Sequence, residues 1–169
     1  MTIVFYVASA VAIVSTALMI TRLHAVHALL YLIVSLLAVS VVFYTLGAPF
    51  IAALEVIIYA GAIMVLFVFV VMLLNLGEPA ARAERALLKP SMWTGPLILA
   101  AILMAELIYL LTAGPGGSSA VVIIGPQAVG ASLFGPYLIG VELASMLLLG
   151  GLVGAYHLGY RKAPKPEVG

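Results

Sequence analysis

The sequence predicts an all-α integral membrane protein with five transmembrane helices, the third of them overlong and with room for a π-bulge. Three observations carry that expectation. Hydrophobic residues make up 66% of the 169 and charged residues only 8%, and mean hydropathy is +1.32, a balance that the core of a soluble domain this small cannot hide. The apolar residues fall into runs close to the roughly 20 residues that a helix needs to cross a bilayer. Those runs are too uniformly apolar to alternate as barrel strands do, and helices are the other way to satisfy the backbone in lipid.

The first run extends from Ile3 to Ile20 and stops at Thr21, Arg22 and His24. It lacks a basic leader and is too long for the apolar region of a signal peptide, so it reads as a retained helix. The second, His27 to Leu46, ends at Gly47 and Pro49, the chemistry of a tight turn between antiparallel helices. The third, Phe50 to Leu74, is longer than a ~30 Å hydrocarbon layer requires at 1.5 Å per residue, so it must tilt, bend or carry an irregularity. Residues 75–94 form a charged loop with Glu78, Arg82, Glu84, Arg85 and Lys89, closing near Trp93 as an interfacial anchor. The fourth run is Gly95 to Leu111. Residues 112–135 are uncharged and rich in Gly, Ser and Pro, with a short interfacial helix expected over Pro126 to Phe134. The fifth run is Pro136 to His157, and a polar tail over 161–169, with Pro164 and Pro166, completes a single-domain plan in which residues 1–160 form the transmembrane part.

All seven basic residues fall on one side of such a five-span chain: Arg22 after the first span, Arg82, Arg85 and Lys89 after the third, and Arg161, Lys162 and Lys165 in the tail. Loops on the cytoplasmic side retain positive charge, so the expected N-terminus is outside and the C-terminus cytoplasmic. No internal repeat is evident, which counts against a transporter built of paired halves.

Composition also closes off several chemistries. The chain has no cysteine, hence no disulfide, thiolate metal site or thiol nucleophile. His24, His27 and His157 have no metal-ligand spacing, and a net charge of +1 without a basic run points away from nucleic acid.

Three acids fall within expected spans: Glu55, Glu106 and Glu142. An intramembrane carboxyl is a functional candidate because an ionised one costs about 3 kcal/mol even on the lenient insertion scale. Desolvation favours the neutral form, which can pass a proton rather than hold a charge. Counted from the outer helix ends, all three lie at a similar depth, close enough in level to face one another. Against this stands packing, in which each acid is hydrogen-bonded to a neighbouring helix; Glu106 in particular is expected to snorkel outward. Tyr59 follows Glu55 by one helical turn on the same face, so carboxyl and phenol can share a proton path through water. Ala60, Gly61 and Ala62 occupy the middle of the overlong helix, where a π-bulge would absorb extra length, though small residues there also serve ordinary helix packing. Gly150 and Gly154, with Gly140 and Ala144, mark a packing face on the fifth span.

Several strings are more specific. Val26-His27-Ala28-Leu29-Leu30-Tyr31-Leu32, Ala53-Leu54-Glu55 continuing to Leu66-Phe67-Val68-Phe69-Val70-Val71-Met72-Leu73-Leu74-Asn75, Leu133-Phe134-Gly135-Pro136-Tyr137 and Val141-Glu142-Leu143-Ala144-Ser145-Met146-Leu147-Leu148-Leu149 closely resemble one family over nearly the whole chain. That family is the J subunits of bacterial respiratory complex I, the proton-pumping NADH:quinone oxidoreductase, similar to the sixth mitochondrially encoded subunit. The resemblance implies a membrane-arm subunit of the bacterial inner membrane that carries no cofactor itself. FMN, iron–sulfur clusters, NADH and quinone belong to the assembled complex. It implies neighbours similar to subunits A, H, K and N, and a role in coupling quinone reduction to proton translocation. Residues matching the family's functional positions are Glu55, the stretch Tyr59 to Val65 including Gly61, where a π-bulge changes with the state of the enzyme, and Glu142. Glu106 matches no signature. A small independent transporter and a purely structural packing subunit are the competing readings.

Overall fold

The computed structural model describes residues 2–23, 25–74, 90–113 and 122–159. In chain order they form α1 (Thr2–Thr21), α2 (Ala25–Thr45), α3 (Pro49–Leu54), a π-helical segment (Glu55–Ile63), α4 (Met64–Leu74), α5 (Pro90–Ala113), α6 (Pro126–Leu133) and α7 (Leu138–Gly159). The described residues contain no strand. Five stretches are long and apolar enough to cross a membrane: Thr2–Thr21, Ala25–Thr45, Pro49–Val71, Trp93–Thr112 and Leu138–Gly159. The chain is therefore a multi-pass membrane protein, and its apolar runs became helices within a few residues of where the sequence put them. His24, the charged loop residues Glu78, Arg82, Glu84, Arg85 and Lys89, and the basic tail with Arg161, Lys162 and Lys165 lie outside the described residues.

One boundary differs. Helix α5 begins at Pro90, ahead of the expected start at Gly95, so residues 90–94 leave the loop and extend the helix. Proline reads as a breaker in sequence, but at the first helical position its missing N–H costs nothing and its fixed φ is already helical. Pro96 lies inside the helix and deprives the carbonyl four residues back of its usual donor.

The chain divides into two compact units, Met1–Gly125 and Pro126–Gly169. In the first, α1 and α2 form the most extensive helix pair. The buried stripe of α1 is Val4, Ala8, Val11 and Ser15, spaced by three and four residues as one helical face requires. Val11 meets Val34 and Ala38 of α2 and Leu103 of α5 in the apolar core. Small residues let helix backbones approach closely in lipid, and hydroxyls bind them together. Thus Thr16 Oγ1 and Ser35 Oγ lie 2.8 Å apart, and both reach the carbonyl of Ala12, at 2.9 and 3.2 Å.

Helix α2 ends in a turn that only glycine accommodates comfortably. Gly47 has φ +84°, its N–H donates to Tyr44 O at 3.1 Å, and Ala48 N–H donates to Phe43 O at 3.0 Å, the paired bonds of a Schellman cap. Pro49 then starts α3 at a position where its ring suits the helix. Ser40 Oγ of α2 donates to Ala52 O at 2.8 Å, tying the third membrane-crossing stretch to the second. The extended residues 122–125 are held there too, through Ile124 N–H to Gly47 O at 2.8 Å. At the opposite end of α2, Tyr31 is buried, with the Arg22 guanidinium 5.2 Å from its ring centroid. A Cβ at Gly95 would run into the Tyr31 hydroxyl, so glycine there is what lets α5 close on α2.

In the second unit α6 leads through a turn at residues 134–137 into α7. Tyr137 N–H donates to Ser132 O at 3.1 Å, and a Cβ at Gly135 would stand 2.8 Å from the carbonyl of Ala131. No residue of α7 is buried. Within this unit, nothing lies within 4 Å of where a Cβ at Gly140, Gly150 or Gly154 would stand.

Candidate functional site

The third membrane-crossing stretch changes winding at Glu55. The Glu55 N–H still donates to carbonyls at Ile51 and Ala52, as in α3. From Glu55 to Ile63 the backbone is π-helical, and at its exit Met64 N–H reaches back to Tyr59 O and Gly61 O. The bond from Met64 to Tyr59 spans five residues rather than four, and this wider turn is the signature of π winding. It lies between two α-helical pieces, where it takes up residues without lengthening the span in proportion.

Gly61 lies within that segment. A Cβ there would stand 3.2 Å from Val56 O, the carbonyl five residues back, closer than a methyl group normally comes. Glycine leaves the space clear.

Glu55 is half-buried, Gly61 is half-buried, and Tyr59 is 49% exposed. Carboxyl and phenol are not hydrogen-bonded to each other. In the wider turn the hydrogen-bonded successor of Glu55 is Ala60, so Tyr59 no longer stacks over the acid as it would in an α-helix. Their face is open along the flank of this chain: Val56, Ile57 and Ile58 are exposed, as are Leu66 and Phe67 further along.

Between α2, α3 and α5 lies a cleft of about 300 Å³, lined by Ser40, Tyr44, Ala52, Val56 and Leu107 among others. Val56 and Leu107 directly follow Glu55 and Glu106 in sequence, so the two acids share a level, as their depth count suggested. Neither acid lines the cleft. Equal depth does not bring them face to face, because their helices turn them elsewhere.

Glu106 corrects the expectation of a snorkelling side chain. It is only 9% exposed, and neither carboxyl oxygen has a hydrogen-bond partner among the described residues. Leu99, Leu103 and Glu106 follow the four-and-three spacing of one helical face, a register the sequence shows, but only the packing reveals that this face is the one turned to α1 and α2, where both leucines belong to the core. Glu142 is on α7, exposed, in the second unit. Among the described residues, no group of three His, Asp or Glu side chains is placed to hold a metal ion.

The comparisons with known proteins agree along the chain. The model of the family NADH-ubiquinone/plastoquinone oxidoreductase chain 6 matches residues 15–158. NADH-quinone oxidoreductase subunit J of Pseudomonas aeruginosa is 56% identical over 160 residues, covering 94% of this chain and 96% of the relative. Its counterpart from Escherichia coli K12 is 55% identical over 155 residues, covering 92% and 84%. That of Buchnera aphidicola subsp. Schizaphis graminum is 48% identical over 159 residues, covering 94% and 98%. The matched residues take in the second, third and fourth membrane-crossing stretches whole, the fifth up to its last residue and the end of the first, and on that footing the chain belongs to the NADH-ubiquinone/plastoquinone oxidoreductase chain 6 family, as a subunit J of NADH-quinone oxidoreductase.

Proposed function

We propose that this subunit transmits quinone reduction into proton translocation without holding a redox group itself, from the bacterial inner membrane. Glu55 and Tyr59 line a hydrated proton path, and Gly61 permits the segment between them and α4 to change winding. The observation that carries this reading is an acid placed at the first residue of a π-helical segment in the middle of a membrane-crossing stretch. A π-turn is an uncommon winding inserted between α-helical pieces, and a neighbour that binds one winding better than the other shifts the population between them. The open face around Tyr59 is where a neighbouring subunit completes the path, and neighbours similar to subunits A, H, K and N fit that role. Glu142, equally open on α7, serves a second contact of the same kind.

Replacing Glu55 by Gln tests the proton path directly. Gln keeps the volume and the hydrogen-bonding capacity but has no proton to release. In inverted membrane vesicles, NADH oxidation continues while the proton gradient formed per NADH falls. Equal gradient and equal rate at equal complex content would remove Glu55 from the path.

The same reading places the N-terminus outside and the C-terminus in the cytoplasm, supported by the placement of all seven basic residues on one side. A topology reporter fused after residue 118 is active only as an external fusion, and one at the C-terminus only as a cytoplasmic fusion. The reverse pattern would overturn the orientation.

A further inference from the structure

Glu106 stands outside the Glu55 line and is used by no step above. It lies one turn beyond Leu103 on the face of α5 that packs against α1 and α2. With 9% exposure it is enclosed by its own chain, so the groups that could compensate a charge must come from those helices. They do not: both oxygens are shut from solvent and have no hydrogen-bond partner among the described residues.

The charged and titratable groups on the packed elements lie elsewhere. On α1, Tyr6 is exposed, and Arg22 just past its end lies over the Tyr31 ring. Tyr31 and His27 of α2 occupy that same end, which α5 meets at Gly95; at 1.5 Å per residue, this is about 16 Å along the helix from Glu106. Tyr44 of α2 lines the cleft with Leu107, and Tyr109 of α5 is exposed. On the cytoplasmic-loop side of Glu106, the layer of Val11, Val34, Ala38 and Leu103 is apolar and closed.

A carboxylate in that seam would be a buried charge with neither counter-ion nor donor, which is the costliest arrangement open to it. The acid form carries no charge, so it avoids that cost and leaves only neutral polar atoms in the seam. We propose that Glu106 is a proton-binding site, a carboxylic acid that holds its proton at neutral pH within the seam of α1, α2 and α5. It is separate from the Glu55 face, and its ligand is a proton.

Infrared difference spectroscopy tests this on the assembly purified through an affinity tag on this chain, comparing wild type with Glu106→Gln at pH 7. Subtraction leaves the vibrations of one carboxyl group. The expected result is the carbonyl stretch of a protonated acid in wild type, shifted downward in D2O and missing from the variant. Carboxylate stretches in its place would show Glu106 ionised and overturn the proposal. Glu106→Leu gives the same subtraction without the amide band of Gln, and supplies the reading if the first variant does not assemble.

Discussion

Deleting this chain should abolish the quinone-linked oxidation of NADH rather than trim its rate. Its helices leave broad apolar flanks open, from Ile57 and Phe67 on the third membrane-crossing stretch to Leu147, Leu148 and Leu152 on α7, and no residue of α7 is buried. Surfaces of that kind are covered in the assembly by lipid and by neighbouring subunits. Removing the chain exposes whatever polar groups those neighbours keep behind it to hydrocarbon, where each unsatisfied backbone group costs several kcal/mol. A few such groups exceed the whole stability margin of an ordinary folded unit, about 5–15 kcal/mol. Native gel analysis of membranes from a deletion strain should show the large complex missing or broken, with NADH oxidation by an artificial acceptor surviving in fragments. An intact and fully coupled complex in that strain would reduce the protein to an accessory.

Gly61→Leu should slow quinone-linked turnover about tenfold although no titratable group changes. A Cβ at this position already comes to 3.2 Å from Val56 O, so a branched side chain forces either the carbonyl or the winding to move. Overpacking of this kind costs roughly 1–3 kcal/mol, and about 1.4 kcal/mol is a tenfold change in an equilibrium between windings. Gly61→Ala, with a single methyl group that a few tenths of an ångström can accommodate, should fall between wild type and Leu. NADH oxidation with quinone and with an artificial acceptor, measured at equal complex content, separates the effect from damage to the redox subunits. If Leu, Ala and Gly turn over equally, Gly61 serves packing only and the change of winding has no part in the rate. The contrast with Glu55→Gln is informative, since the one variant lowers the rate and the other lowers the gradient formed per NADH.

What the sequence determined by itself was the number, order and approximate limits of the membrane-crossing helices, because hydrocarbon leaves the backbone so few choices that apolar length alone decides them. The turn at Gly47 and Pro49 was equally legible, since a positive φ and a missing N–H are local demands that particular residues meet. The family was legible too, in the strings around Glu55 and Glu142. Tertiary structure alone decided which way each acid turns. Glu55 and Glu106 share a depth, yet one lies on an open flank and the other in a closed seam, because that outcome depends on which helices pack against α5 and with what rotation. Periodicity marks a face of a helix but not its partner. The start of α5 at Pro90 and the exact residues of π winding belong to the same class: both follow from small differences between backbone states that neighbouring turns settle, and no single residue announces them.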